Sequence, residues 1–267
     1  MVAITSFIAP VLLATAAAAL PSRSERLQAR LGRRAAGTHQ SQPKQLIENP
    51  VTTVSNVSHV DYSSNWAGAV LVANSATYKS VTGTFTVPTP SKPSGSSSGS
   101  YSASAWVGID GDTCGTAILQ TGVDFTISGS SVSFDGWYEW YPDYAYDFSG
   151  ITFSAGDVVT LTVTATSTKA GTAVIENVTK GKTVTKSITS TAALCEENAE
   201  WIVEDYEEGS SLVPFADFGT VTFTNAEATT SSGTVGPSGA TIIDIEQSNK
   251  VLTSVSTTSS SVTVSYV

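Results

Sequence analysis

The strongest constraint on this chain is a rhythm that starts near residue 55 and runs to the C-terminus. Short runs rich in Val, Thr, Ile, Phe and Tyr alternate with turns of Gly, Ser, Asn and Asp. Twelve such runs stand out: Trp66–Val72, Val81–Val87, Ala103–Ile109, Ala117–Phe125, Ser131–Trp140, Val158–Ala165, Thr172–Asn177, Thr183–Ile188, Glu200–Val203, Thr220–Phe223, Thr241–Ile245 and Ser261–Tyr266. No convincing helix separates them, so the pattern predicts an all-β antiparallel sandwich of two stacked sheets. At 267 residues, 40% of them hydrophobic, the chain has enough apolar material for a real core. Pro88–Ser100 is low in complexity and reads as a loop between strands, not a domain boundary.

Successive side chains of a strand point to opposite faces. In Thr116–Phe125 this places Leu119, Val123 and Phe125 on a core face and Ile118, Gln120, Gly122 and Asp124 on the other. In Ser133–Tyr141, Phe134, Tyr138 and Trp140 form the apolar parity, while Asp135, Trp137, Glu139 and Tyr141 form the opposite one. An amide, three carboxylates and two large aromatics then share one face of a sheet. A plain solvated face rarely carries that mixture, so this is the candidate working surface. A second acidic cluster, Cys195–Gly209, sorts with Glu200, Ile202, Glu204 and Tyr206 on one face and Trp201 and Val203 on the other. Spacing alone also fits a solvated acidic edge.

Charge is distributed unevenly. Residues 1–50 carry six basic and two acidic groups, a net of +4, whereas residues 51–267 carry seven basic and twenty-one acidic groups, a net of −14. So acidic a body repels nucleic acid and anionic membrane, and neither is expected as a partner. Once every carboxylate is protonated only the few Lys and Arg remain charged, so self-repulsion in acid stays mild. Met1–Leu20 is an uncharged apolar run ending in small residues and followed by arginines, the pattern of a secretory signal peptide cut near Ala17–Ala19. Its strongly apolar core is shorter than the ~20 residues a membrane span needs. The expected organisation is a signal peptide over 1–19, a basic propeptide over 20–54 and a mature β-sandwich over 55–267, secreted to the extracellular space as a monomer. Residues 21–50 have helical propensity. Attached to an acidic domain, they are expected to mask it at neutral pH and to let go as carboxylates protonate; the alternative is a linker without inhibitory action. Asn56-Val-Ser and Asn177-Val-Thr fit the N-glycosylation acceptor pattern.

Elimination narrows the chemistry. The only histidines are His39, in the expected propeptide, and His59, at the edge of the mature part. A Ser-His-Asp triad or a His-based zinc site would rest on His59 alone, and no metal or cofactor is expected. Asp112-Thr113 is followed by Cys114 where an aspartic-protease motif needs Gly. Carboxylates remain for acid–base work, helped by amides and tyrosines. The two cysteines, Cys114 and Cys195, lie six residues before Gln120 and five before Glu200. If they bond, Gln120 and Glu200 are brought near each other, and a loop this long adds roughly 4–5 kcal/mol in the chain-entropy model.

Six stretches carry a resemblance: Ser64-Asn-Trp-Ala-Gly68, Val87-Pro-Thr-Pro90, Ala105-Trp-Val-Gly-Ile-Asp-Gly-Asp-Thr-Cys114, Ala117-Ile-Leu-Gln-Thr-Gly122, Trp137-Tyr-Glu-Trp-Tyr-Pro142 and Asn198-Ala-Glu-Trp-Ile-Val-Glu204. In order, from about Tyr62 to the C-terminus, they resemble the fungal glutamic peptidases, or eqolisins, of the scytalidoglutamic and aspergilloglutamic type. The resemblance implies a concanavalin-like, lectin-like jelly roll of two seven-stranded sheets, secretion as a zymogen and acid endopeptidase activity on protein and peptide substrates. It also implies a Gln/Glu catalytic pair, here Gln120 and Glu200. Cleft residues would correspond to Trp66, Trp106, Asp110, Asp124, Asp135, Trp137, Glu139, Tyr141 and Glu204. Two other readings stay open: a glycoside hydrolase using Glu139 and Glu200 with Trp137 stacking on sugar, and a lectin-like carbohydrate-binding module without turnover.

Overall fold

The computed structural model describes residues 39–50 and 60–267; the expected signal peptide, most of the expected propeptide, Asn56 and His59 lie outside the described residues. Among the described residues, fourteen strands of four residues or more build two packed sheets. In chain order they are β1 (Val60–Ser63), β2 (Trp66–Val72), β3 (Ser80–Thr86), β4 (Ser100–Ile109), β5 (Ile118–Ser128), β6 (Ser131–Tyr141) and β7 (Val158–Ser167). They continue with β8 (Ala170–Asn177), β9 (Lys182–Thr189), β10 (Asn198–Glu204), β11 (Thr220–Thr230), β12 (Thr241–Gln247), β13 (Thr253–Thr257) and β14 (Ser261–Tyr266).

The front sheet runs β12-β2-β10-β4-β5-β6, with β1 added in parallel on β12 and two-residue strands at Lys250–Val251 and Tyr146–Asp147 extending its edges. The back sheet runs β9-β8-β7-β3-β11-β14-β13, with Gly233–Val235 paired to β11. Neighbours on both paths are antiparallel. All twelve expected strands form. β1 and β13 escaped notice because each is short and half polar, with no apolar run to mark it.

Period-two alternation places the core where expected. Leu119, Val123 and Phe125 of β5 and Trp201 and Val203 of β10 meet Phe85, Leu161, Val163, Phe223 and Val264 of the back sheet, all fully or almost fully buried. Each such side chain contributes about 1.5–3 kcal/mol by leaving water. The outward face of the front sheet is also buried. Trp66, Trp106, Ile118, Trp137, Ile202 and Ile243 form a second apolar cluster there, fully shielded from solvent. Three covers account for it: the loop after β6, the stretch after β10, and residues 39–50.

Those last residues do not follow their helical propensity. His39–Gln40 is a strand paired with Glu207–Glu208, and no helix forms as far as residue 50. Contacts with the sheet below outweigh a propensity worth only tenths of a kcal/mol per residue. Asn177 is buried, its Nδ2 donating to Thr152 O and Asp157 Oδ2 at 3.0 and 2.8 Å, so a glycan there would cost both bonds.

Candidate active site

Register sets the site. Across β2, β10, β4, β5 and β6 the cleft-facing residues line up in three rows. Val70, Glu200, Gly108, Gln120 and Glu139 form the first; Gly68, Ile202, Trp106, Gly122 and Trp137 the second; Trp66, Glu204, Ser104, Asp124 and Asp135 the third. Gln120 and Glu200 therefore flank Gly108 on the strands either side of it, with backbones about 10 Å apart. Gly108 is required: a Cβ there would stand 2.8 Å from both Glu200 Oε1 and the Trp106 ring. The missing side chain leaves a hollow between the amide and the carboxylate.

The tryptophans are structural and polar at once. Trp66 and Trp106 meet edge to face at 4.9 Å. Trp106 Nε1 donates to Glu204 Oε2 at 2.8 Å, and Trp137 Nε1 donates to Ser104 Oγ at 3.0 Å. Asp124 and Asp135 stand opposite each other on β5 and β6, as do Gln120 and Glu139. Tyr141 lies at the rim, half-buried, against the tryptophan cluster. Asp110 stands apart from the rows. It directly follows β4 at a φ of 70°, and both its oxygens accept backbone N–H groups from residues 195–198. Cys114 and Cys195 are joined in a disulfide. Asp110 and the two sulfurs cluster closely, but the disulfide removes both thiolates a metal would need.

Residues 39–45 cross the cleft as a strap. Ser41 N donates to Glu139 Oε2 and Gln42 N to Glu204 Oε1, both at 3.1 Å. Trp66 Nε1 donates to Gln42 O at 2.9 Å. Lys44 Nζ reaches Asp61 Oδ2 at 2.9 Å and also pairs with Asp112. His39, buried, lies 3.4 Å from Asp124 Oδ2 with its ring edge-on to Tyr206. The strap does not hydrogen-bond the central pair: both polar atoms of Gln120 and both oxygens of Glu200 are buried without a hydrogen-bond partner.

Burial governs the electrostatics. It pushes Glu200 well above the ordinary carboxylate range, and the charges of Asp110 and Asp112 push it further. Burial likewise raises Glu204 to about 8, although the Gln42 and Trp106 N–H groups oppose the rise. Asp205, next in sequence, is raised to about 8 by burial against a hydrogen bond from Gln247. Burial thus favours the protonated form of Glu200, Glu204 and Asp205.

Sequence reasoning missed Gly108, Asn198, whose Oδ1 accepts N–H bonds from Asp112, Thr113 and Cys114, and the strap's own Ser41, Gln42 and Lys44. Tyr206, placed by parity on the Glu200 face, stands against His39 of the strap. Parity and spacing hold no signal for contacts made across long stretches of chain.

A sandwich whose cleft presents an isolated Glu/Gln pair among carboxylates and tryptophans is the architecture of a glutamic-type peptide hydrolase, and the comparisons agree. Residues 64–266 match the Peptidase A4 family. Aspergillopepsin-2 of Aspergillus niger is 53% identical over 275 aligned positions, covering 96% of each chain. Scytalidopepsin B of Scytalidium lignicola is 41% identical over 251, covering 91% of this chain and 89% of that one. The crystal structure of scytalido-glutamic peptidase with a transition state analog inhibitor superposes with a TM-score of 0.69 at 44% identity, over 76% of this chain and 98% of that one. The chain belongs to the peptidase A4, or eqolisin, family and is a glutamic peptidase. The glycoside hydrolase and lectin readings lose their footing here.

Proposed function

We propose that this chain is a secreted, acid-acting endopeptidase, made as a zymogen, in which Glu200 and Gln120 do the chemistry. One observation supports this above the rest: at the centre of a crowded polar cleft, Gln120 and Glu200 face the gap above Gly108 buried and unpartnered. A buried polar atom without a partner costs about 1–3 kcal/mol, a cost that a bound peptide and its attacking water would remove.

The ionised Glu200 takes a proton from water, which attacks the scissile carbonyl carbon; the acid so formed gives that proton to the leaving amine as the C–N bond breaks. Gln120 donates an N–H to the oxyanion and stays uncharged throughout. Burial in the covered cleft, and after it the charges of Asp110 and Asp112, hold Glu200 protonated. Removing the strap admits water and takes away the larger cause, so Glu200 ionises in the processed enzyme while its carboxyl stays weak enough to return the proton. Glu139, Glu204 and Trp66 hold the peptide backbone as they hold Ser41 and Gln42 of the strap.

In the zymogen, residues 39–45 fill the cleft beside the dyad without engaging it. The strap is fastened to the acidic body by Lys44, paired with Asp61 and Asp112, and by His39 beside Asp124. N-terminal sequencing of the protein recovered from the culture medium tests both the signal cleavage and strap removal.

The decisive measurement is the pH profile of protein cleavage by the processed wild type beside Glu200→Gln and Gln120→Ala, with folding checked by far-UV circular dichroism. Activity confined to acid, abolished in folded Glu200→Gln and reduced ~100–1000-fold in Gln120→Ala, is the expected result. A folded Glu200→Gln variant that still cleaves protein would sink the assignment.

A further inference from the structure

Two loops meet ahead of Glu200, and each is fastened by a side chain of the other. The Asp110 carboxylate accepts N–H bonds from Cys195 and Glu196 on Oδ2, at 2.8 Å each, and from Glu197 and Asn198 on Oδ1, at 2.8 and 3.2 Å. In return, Asn198 Oδ1 accepts N–H bonds from Asp112, Thr113 and Cys114 at 3.2, 2.9 and 3.3 Å, and its Nδ2 donates to Thr113 Oγ1 at 2.7 Å. Two side chains thus hold seven backbone donors, and the disulfide ties the same two loops. Asp110 and Glu196 take φ values of 70° and 60°, conformations that L-residues adopt only when the surroundings impose them. Both Asp110 and Asn198 are fully buried.

We infer that Asn198 is a positioning residue of the reaction, and that the Asp110/Asn198 clasp fixes Glu200 against Gln120. Asn198 opens β10 two residues before Glu200, on the same face of the strand, and pairs with Val72 beside it. Asp110 directly follows Ile109, which closes β4, where Gly108 pairs with both Glu200 and Gln120. Slippage of either loop moves Glu200 along the row. The clasp touches neither substrate-holding carboxylate: Glu139 lies on β6, and Glu204 lies at the far end of β10. Its loss therefore falls on turnover and spares binding. This inference rests on the dyad assignment above.

The test compares processed wild type, Asn198→Ala, Asn198→Asp and Glu200→Gln, measuring kcat, KM, the pH dependence of kcat and the urea midpoint. Asn198→Ala strands three N–H groups, and a ~1 Å displacement of a catalytic group costs on the order of 100-fold. The expectation is a ~10–100-fold lower kcat with KM held within about 3-fold. Asn198→Asp keeps an acceptor oxygen and should restore most of kcat. Its added carboxyl also makes Glu200 harder to ionise, so the acidic limb of kcat moves to higher pH, which reports that position 198 faces Glu200. The fall of kcat at constant KM, with its rescue here, is what a purely structural role would not produce. Wild-type kcat in folded Asn198→Ala, or an unmoved acidic limb in Asn198→Asp, overturns the inference. Should the alanine variant not fold, Thr113→Val, which removes the Oγ1 acceptor of Asn198 Nδ2, takes its place: kcat lowered at constant KM supports the inference and wild-type kcat overturns it. Full activity in Glu200→Gln would instead overturn the dyad, separating that failure from this one.

Discussion

The two sheets obey the same period-two alternation and carry opposite kinds of surface outside the core. On the back sheet, the outward residues of β3, β7, β11 and β14 are threonines and serines paired across strands: Thr82 with Thr162 at 2.9 Å, Thr84 with Thr160 at 2.8 Å, Thr222 with Thr263 at 3.1 Å and Thr220 with Ser265 at 3.0 Å. On the front sheet the same positions hold Glu200, Glu204, Gln120, Asp124, Asp135 and Glu139 among three tryptophans. The hydroxyl pairs do not titrate and half face water. The charges the back sheet does carry, Glu176, Lys182, Lys186 and Glu227, stand exposed at its surface, whereas the front sheet's carboxyls are buried in rows. The protein packs ionisable groups together on one wall and leaves the other to hydroxyls and scattered solvated charges.

The largest difference concerns covalent support. The disulfide ties only front-sheet loops across a separation of 81 residues. Replacing Cys114 and Cys195 by Ser should lower unfolding stability by about 4–5 kcal/mol in the chain-entropy model, read as a shift in the urea midpoint. Activity should fall as well, because the loops ahead of Glu200 lose their tie. A stability loss with unchanged kcat in the folded variant would show that hydrogen bonds alone hold those loops.

Glycine gives a matched pair for the next contrast. In the front sheet, Gly108→Ala puts a Cβ 2.8 Å from Glu200 Oε1 and should cost ~100-fold or more in kcat/KM with the fold retained. In the back sheet, Gly83→Ala meets Trp201 at 3.0 Å and Phe223 at 3.3 Å inside the core. It should destabilise by about 1–3 kcal/mol and leave kcat alone. Equal effects of the two on kcat would erase the distinction between a working sheet and a supporting one.

How far these features were legible in the sequence follows the range of the contacts. Gln120, Asp124, Asp135 and Glu139 were placed on one face by alternation alone, because parity is local. That Glu200 faces Gln120 across Gly108 depends on the register of β10 with β4, between residues about ninety positions apart, and only the cysteine spacing and the family likeness pointed to it. The strap was legible as a basic segment and not as a strand, since its extended form is imposed by Glu139, Glu204 and Trp66. Asn198 stood in the sequence only as the first residue of the stretch Asn198–Glu204; its three accepted N–H bonds come from a loop no spacing rule connects to it.

Proton linkage extends the contrast to stability. Burial raises Glu200 well above its ordinary range, Glu204 and Asp205 to about 8 and Asp244 to about 6, all on front-sheet strands or next to one. In the unfolded chain these groups ionise near pH 4. Below that pH both states hold the protons and the groups are neutral to stability. Above it the unfolded state ionises first, so stability falls as pH rises from about 4 towards 8. Denaturant midpoints of the strapped protein should decline across that window. A midpoint that rises from pH 5 to pH 8 would mean that the cover admits water and the carboxyls titrate normally.

The smallest effect is expected on the far wall. Thr82 and Thr162 are half-exposed, and each hydroxyl has the other at 2.9 Å. Converting both to Val removes donor and acceptor of the pair together and keeps the shape and the β-branching; it also forfeits the Thr82 Oγ1 bond to Leu161 O at 2.9 Å, so the change should stay within about 1 kcal/mol. Kinetic constants and the pH dependence of the denaturant midpoint should be those of the wild type, because no group that titrates has moved. Were the acidic limb of kcat to shift in this double variant, the back sheet would be coupled to the carboxyl rows. Trp201 is the contact through which that would run, since its Nε1 donates to Thr82 O at 2.7 Å from the strand that carries Glu200.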